Sequence, residues 1–129
     1  MAKILIIEDD MVLVRMYTKK FEHDGYQVVA AYSGGEGLVA APREKPDCIL
    51  LDIMMPGVDG FSVIKTLKQD PLTRNIPIVI LTNLGTSGIF IEEAKRLGVK
   101  DYLVKYKTGS KEVVQIVEKT ISKSSAPGK

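Results

Sequence analysis

Disulfide chemistry is the first thing this sequence excludes. Its 129 residues hold one cysteine, Cys48, which has no internal partner. A free cysteine in an apolar run behaves as a small hydrophobe, so no thiol chemistry is read into it. Histidine is as scarce. The one residue, His23, follows Phe21-Glu22 near the end of a predicted helix and reads as exposed and inert. Without a His/Cys cluster a zinc site is out. Charge of one sign is also lacking: a net +2 is too small to argue for direct contact with nucleic acid or an anionic membrane. No apolar run approaches the ~18 residues that a membrane helix needs. Lys3 leads straight into the first apolar run with no signal peptide before it, so the cytoplasm is the expected location. Gly34, Gly35 and Gly37 cluster near a helix start, yet the Gly-Lys-Ser/Thr of a phosphate loop is missing, and the stretch reads as a short surface helix. There is no internal repeat.

What is present is an ordinary globular composition, 45% hydrophobic and 26% charged. The length is that of one domain and suffices for a core without disulfides. The chain is organised around Asp47–Gly60. There the apolar run Cys48–Leu51 stops on Asp52, and Pro56, Gly57 and Asp59-Gly60 follow. Such a run, bounded by breakers, predicts a strand buried on both faces and ended by a turn.

The same alternation runs through the chain. Strands are predicted at Lys3–Ile7, Gln27–Ala31, Asp47–Leu51, Pro77–Leu81 and Asp101–Val104. The first helix carries a stripe of Leu13, Met16, Tyr17 and Phe21 and ends at Asp24-Gly25. The second starts at a capping box, Ser33 to Glu36, and is predicted to be weak, because its glycines each cost about 1 kcal/mol relative to Ala and Pro42 restricts its far end. The third is Gly60–Lys68, facing inward with Phe61, Ile64 and Leu67. The fourth spans about Ile89–Leu97, after a loop holding Gly85, Thr86, Ser87 and Gly88, with Phe90, Ala94 and Leu97 inward. The fifth is Glu112–Ile121, with Val113, Val114, Val117 and Ile121. Five strands alternating with helices predict an α/β fold, a doubly wound parallel sheet with helices on both faces. Right-handed crossovers put all carboxyl ends on one edge, where ligands bind in open sheets.

Four strands end on reactive side chains: Glu8 and Asp9, then Asp52, Thr82 and Lys105. Carboxylates converging on one point repel unless they share protons or a cation. An all-oxygen set suits a hard ion, and Mg²⁺ takes one or two carboxylates together with phosphoryl oxygens. Lys105 suits a phosphoryl oxygen, Thr82 can donate to another, and a carboxylate can itself be the nucleophile. The set describes Mg²⁺-assisted phosphoryl transfer onto Asp52.

On Ile4–Asp9, Asp47–Gly60, Ile76–Thr82 and Asp101–Lys105, in this order and spacing, the chain resembles the receiver domain of bacterial two-component response regulators. The resemblance covers about residues 3–122. It implies a receiver domain over residues 1–122 and a flexible tail or linker stub at 123–129. It alone implies the flavodoxin-like strand order 2-1-3-4-5. It implies that Asp52 is the phosphoacceptor, that Asp9 and Asp52 ligate Mg²⁺ with the backbone carbonyl of Met54, and that Glu8 holds the ion through water. Thr82 then contacts the phosphoryl group and moves with it, Lys105 neutralises its charge, and Tyr102 is the switch aromatic that turns inward. Asp10 is left as a helix-start residue favoured by the dipole. The implied partners are a sensor histidine kinase or phosphotransfer protein, and a downstream protein or output domain reached through the fourth helix, fifth strand and fifth helix. On that face Ile89 and Ile91 flank Phe90, so at least one of them should be exposed. A homodimer is compatible. The protein is expected to modify itself rather than to turn over as an enzyme.

The sequence also departs from that family. Tyr106 stands where the family usually has proline after a cis bond. Either the chain bears the ~2.5–4 kcal/mol of a non-proline cis bond or the Lys105 loop takes another course. Asn83 is larger than the usual small residue. Met54 and Leu84, two past the phosphoacceptor and two past the threonine, are both apolar, which implies a long-lived aspartyl-phosphate. The alternative is a degenerate receiver, a binding module that works without phosphorylation. A phosphohydrolase would need a second Asp where Met54 stands.

Overall fold

The computed structural model describes residues 2–84 and 88–124, with Ser124 described by its backbone alone. The tail at 125–129 and loop residues Gly85, Thr86 and Ser87 lie outside the described residues. The elements are β1 Lys3–Ile7, α1 Met11–His23, β2 Gln27–Ala31, α2 Gly34–Glu44, β3 Cys48–Leu51, α3 Gly60–Gln69, β4 Ile78–Thr82, α4 Gly88–Arg96, β5 Asp101–Val104 and α5 Ser110–Ser124. The five strands are parallel, in the order β2-β1-β3-β4-β5. The α/β doubly wound sheet implied by the sequence is therefore the fold.

Alternate strand residues serve opposite faces, as the pleat requires. Leu5, Ile7, Ile49, Leu51, Ile78 and Ile80 pack against α2, α3 and α4. Ile4, Ile6, Cys48, Leu50, Val79 and Leu81 pack against α1 and α5. This two-sided burial is why the central strands read as continuous apolar runs. Cys48 is fully buried among them, as expected. The His23 side chain is 88% exposed.

The helices differ from expectation in instructive ways. Val14, not Leu13, completes the fully buried stripe of α1 with Tyr17 and Phe21, and Val63 joins Ile64 and Leu67 in α3. The α5 helix begins at Ser110 and runs to Ser124, two residues into the stretch expected to be tail. The largest correction is α2, which was expected to be weak and runs for 11 residues. Ser33 accepts from the Glu36 N–H at 3.1 Å, and Glu36 accepts from the Tyr32 N–H at 2.9 Å, so the start is capped from both sides. Gly37 is the contact point with the sheet: a Cβ there would lie 2.5 Å from Cδ1 of Ile7. The glycine costs helix propensity and permits a close approach that a larger residue forbids. Pro42 sits inside the helix, which continues to Glu44 before Lys45 ends it in the left-handed conformation at φ 48°.

Candidate functional site

The register aligns the strand ends that matter. Ile7 lies opposite both Ala31 and Leu51, and Thr82 opposite Val104. The ladder continues one residue further: the Glu8 N–H donates to Ala31 O at 3.0 Å, Asp52 N–H to Ile7 O at 3.0 Å, and Lys105 N–H to Thr82 O at 2.9 Å. Backbone pairing therefore fixes the starting points of Glu8, Asp52 and Lys105 on one edge.

Their side chains meet. The Lys105 ammonium lies 2.7 Å from Glu8 Oε1 and 3.0 Å from Asp52 Oδ2. Glu8 and Asp52 are each 4% exposed. Glu8, Asp9 and Asp52 each offer a carboxylate oxygen, and these lie within 4.8 Å of one another. Asp9 is the exposed member and opens the cluster to solvent. The other Glu8 oxygen accepts from the Asp10 N–H at 3.1 Å, and Asp52 Oδ1 accepts from the Met54 N–H at 3.0 Å. Asp10 itself turns away as the cap of α1, accepting from Val12 and Leu13. It was expected at the helix start and is found there.

Electrostatics follow from this crowding. Burial, opposed by the Lys105 hydrogen bond and helped by the Asp52 charge, pushes Glu8 up to about 7. Burial also disfavours the charged form of Lys105, but hydrogen bonds to Glu8 and Asp52 outweigh it, and its proton is held more tightly than usual. Three acids face one ammonium. The donor set is all carboxylate oxygen, compact and short of positive charge, which fits a hard divalent cation.

Thr82 is fully buried, and its Oγ1 accepts from the Leu84 N–H at 3.2 Å. Among the described residues its hydroxyl proton has no acceptor, so it can donate toward the edge. Tyr102 packs against the α2–α4 side of the core. Its hydroxyl is buried without a hydrogen-bond partner among the described residues. Burial, then the charge of Asp52, raises its pKa. Met54 is 54% exposed and Tyr106 67%. The Lys105–Tyr106 bond is trans, since no cis peptide occurs among the described residues. The loop thus takes the other course left open by the sequence, a turn closed by Lys107 N–H to Val104 O at 3.0 Å, and Lys105 still reaches both acids. Ile89 is 77% exposed, so at least one of the Ile89/Ile91 pair stands out of the α4 stripe.

One positioning residue escapes a reading of the sequence alone. Gly60 reads there as part of a breaker pair. In the fold, a Cβ at Gly60 would lie 2.5 Å from Cα of Ile53 and 3.0 Å from the carbonyl oxygen of Asp52. Gly60 N–H also donates to Ile53 O at 3.2 Å. The first residue of α3 thus presses directly on the backbone that carries Asp52. The only sequence signal is its place after Asp59, which caps α3 by accepting from Phe61 N–H at 3.0 Å.

Comparison with known proteins gives a consistent result. The sequence profile of the response regulator receiver domain matches residues 4–118. Protein PilH of Pseudomonas aeruginosa is 40% identical over 107 residues, which is 81% of this chain and 86% of PilH. Response regulator PleD of Caulobacter vibrioides is 43% identical over 104 residues, again 81% of this chain but 23% of PleD, so the chain spans under a quarter of that relative. The structure resembles chemotaxis protein CheY4 of Vibrio cholerae with a TM-score of 0.85 at 28% identity, covering 93% of this chain and 98% of that one. The receiver domain of a Francisella response regulator gives 0.85 at 31% identity, covering 95% and 98%. The chain belongs to the response regulator receiver domains of two-component systems.

Proposed function

We propose that Asp52 accepts a phosphoryl group from the phosphohistidine of a sensor kinase or phosphotransfer protein. The observation that carries this reading is the Lys105 ammonium held between Glu8 and Asp52 at 2.7 and 3.0 Å, beside a third acid. A carboxylate oxygen of Asp52 attacks phosphorus, the O–P bond forms as the P–N bond breaks, and the imidazole leaves with the electron pair. Lys105 then exchanges a carboxylate partner for a phosphoryl oxygen, and the Thr82 hydroxyl donates to another. Asp9, Asp52 and the Met54 carbonyl would hold Mg²⁺, with Glu8 acting through water. When bound, the ion neutralises charge on the phosphoryl oxygens.

Once modified, Asp52 draws Thr82 toward it, and Tyr102 follows into the space vacated. The output is a change on the face of α4, β5 and α5, where a downstream protein, an output domain or a second copy docks; exposed Ile89 supports this. The protein modifies itself and does not turn over a substrate, and it works in the cytoplasm. Among the described residues no helix is long and apolar enough to cross a membrane. Acetyl phosphate with Mg²⁺ should add one phosphoryl mass to the wild type, none to Asp52→Asn, and none after chelation. Equal modification of Asp52→Asn would refute the assignment, and an unmodified wild type would favour the phosphorylation-independent module.

A further inference from the structure

At the opposite, amino edge of the sheet lies a cleft of about 420 Å³. The starts of β4 and β5, the last turn of α3 and one face of α5 line it. On α5, Ile116, Lys119, Thr120 and Lys123 fall at i, i+3, i+4 and i+7, a single helical face. Pro77, Ile78 and Ile116 make an apolar floor. Lys68, Lys100, Lys119 and Lys123 stand around it against one carboxylate among the described residues, Asp101.

Three of these lysines, Lys68, Lys100 and Lys119, are not accounted for by ion pairing among the described residues. The one hydrogen bond described for Lys68 runs 3.4 Å to the Arg74 carbonyl, and burial holds its ammonium below the usual lysine range. Helix dipoles explain cations in the last turns of α3 and α5, hence Lys68 and Lys123. They do not explain Lys100, in the connection before β5, or Lys119, more than a turn from the end of α5. Like charges gathered on one rim repel, and an anion bridging them relieves that repulsion.

We propose that this cleft binds a nucleotide-class ligand, a small molecule joining a planar apolar ring to two or more phosphates. The volume lies within the range of small-molecule sites, roughly 300–1,000 Å³. The ring lies on Pro77, Ile78 and Ile116. The phosphates take Lys100 and Lys119, with Lys68 behind them. Asp101, the one acidic group on the rim among the described residues, accepts from sugar hydroxyls. Nothing in this site uses Asp52, which lies at the other end of the strands.

The test is a titration of the full chain with ATP, AMP and inorganic tripolyphosphate, followed by backbone amide NMR. Chelator in the buffer keeps the acid cluster out of the measurement. At about 0.15 M salt, ATP should give saturable shifts at Gly98, Lys100, Ile116 and Thr120. AMP and tripolyphosphate should each bind more weakly than ATP. Lys100→Gln/Lys119→Gln alters two exposed side chains and should weaken ATP binding on the order of 10-fold, while Asp52→Asn binds as the wild type does. Absence of saturable shifts up to about 10 mM ATP, wild-type affinity in the double variant, or tripolyphosphate binding as tightly as ATP would each overturn the proposal.

Discussion

Replacing Lys105 by methionine keeps the length of the side chain and deletes the one cation that, among the described residues, contacts Glu8 and Asp52. Both acids are 4% exposed, and their contacts to Lys105 are 2.7 and 3.0 Å. Removing one partner from a fully buried ion pair costs about 3–5 kcal/mol, because the other charge stays desolvated. Here the Lys105 side chain is 18% exposed and Asp9 opens the cluster to water, so part of that cost is screened. The expected loss in metal-free buffer is roughly 1–3 kcal/mol, or about 3–10 °C in Tm for a chain of this size. Asp52→Asn in the same background should recover part of the loss, since it removes one of the uncompensated acids. Added Mg²⁺ should stabilise the methionine variant more than the wild type, because it supplies the missing positive charge. Urea titrations with chelator and with Mg²⁺ measure both quantities. A variant as stable as the wild type in chelator, or one that gains no more from Mg²⁺, would show that Lys105 is not the counter-charge of this cluster.

Gly37→Ala should destabilise by roughly 1–2 kcal/mol, since its Cβ would meet fully buried Ile7 at 2.5 Å. Gly35→Ala meets nothing within 4 Å and should stabilise by up to about 1 kcal/mol; urea midpoints moving in the same direction would contradict the packing argument. Burial pushes the Cys48 thiol up to about 12, so the folded state favours its neutral form. That contribution is present below the ordinary thiol value and is lost as pH rises toward 12. At neutral pH iodoacetamide should leave the native protein unlabelled and add one group in urea; rapid native labelling would place Cys48 outside the core. Met54→Asn/Leu84→Glu should shorten the life of the aspartyl-phosphate by ~10-fold, because neither apolar side chain can orient an attacking water. Decay of label after donor removal, no faster in the double variant, would clear these two positions of that role.

Which of these features a sequence reveals depends on the range of the interaction behind them. Strands buried on both faces must be apolar, so the first polar residue after each run marks where the chain leaves the core. Glu8, Asp52 and Lys105 are legible for that reason, as is Thr82 at the end of β4. Strand order is not, because periodicity says which faces are buried and not which strands touch; before the fold is seen, only the family resemblance implies it. Local propensity alone underrates the α2 helix, because Gly37 serves a contact with Ile7 thirty residues earlier in the chain. The pressure of Gly60 on Asp52 and the buried hydroxyl of Tyr102 are likewise invisible until the elements are packed. Lys68, Lys100 and Lys119 form no motif, and only the crossovers bring them to one cleft.

The chemistry of the edge depends on register more than on any one side chain. Val79 pairs with Asp101, Ile80 with Tyr102, Leu81 with Leu103 and Thr82 with Val104. A slip of β5 by one residue would exchange the faces of its side chains and move Lys105 away from Glu8 and Asp52. What resists the slip is apolar burial on both sides of the sheet. Tyr102 packs with the α2–α4 core and Leu103 with the α1–α5 core, and a slip would send each toward the wrong partners. Mutations that loosen this packing should therefore lengthen the Lys105–Asp52 contact without touching either residue. The ion pair at the edge is held in place by hydrophobic residues that carry no charge themselves.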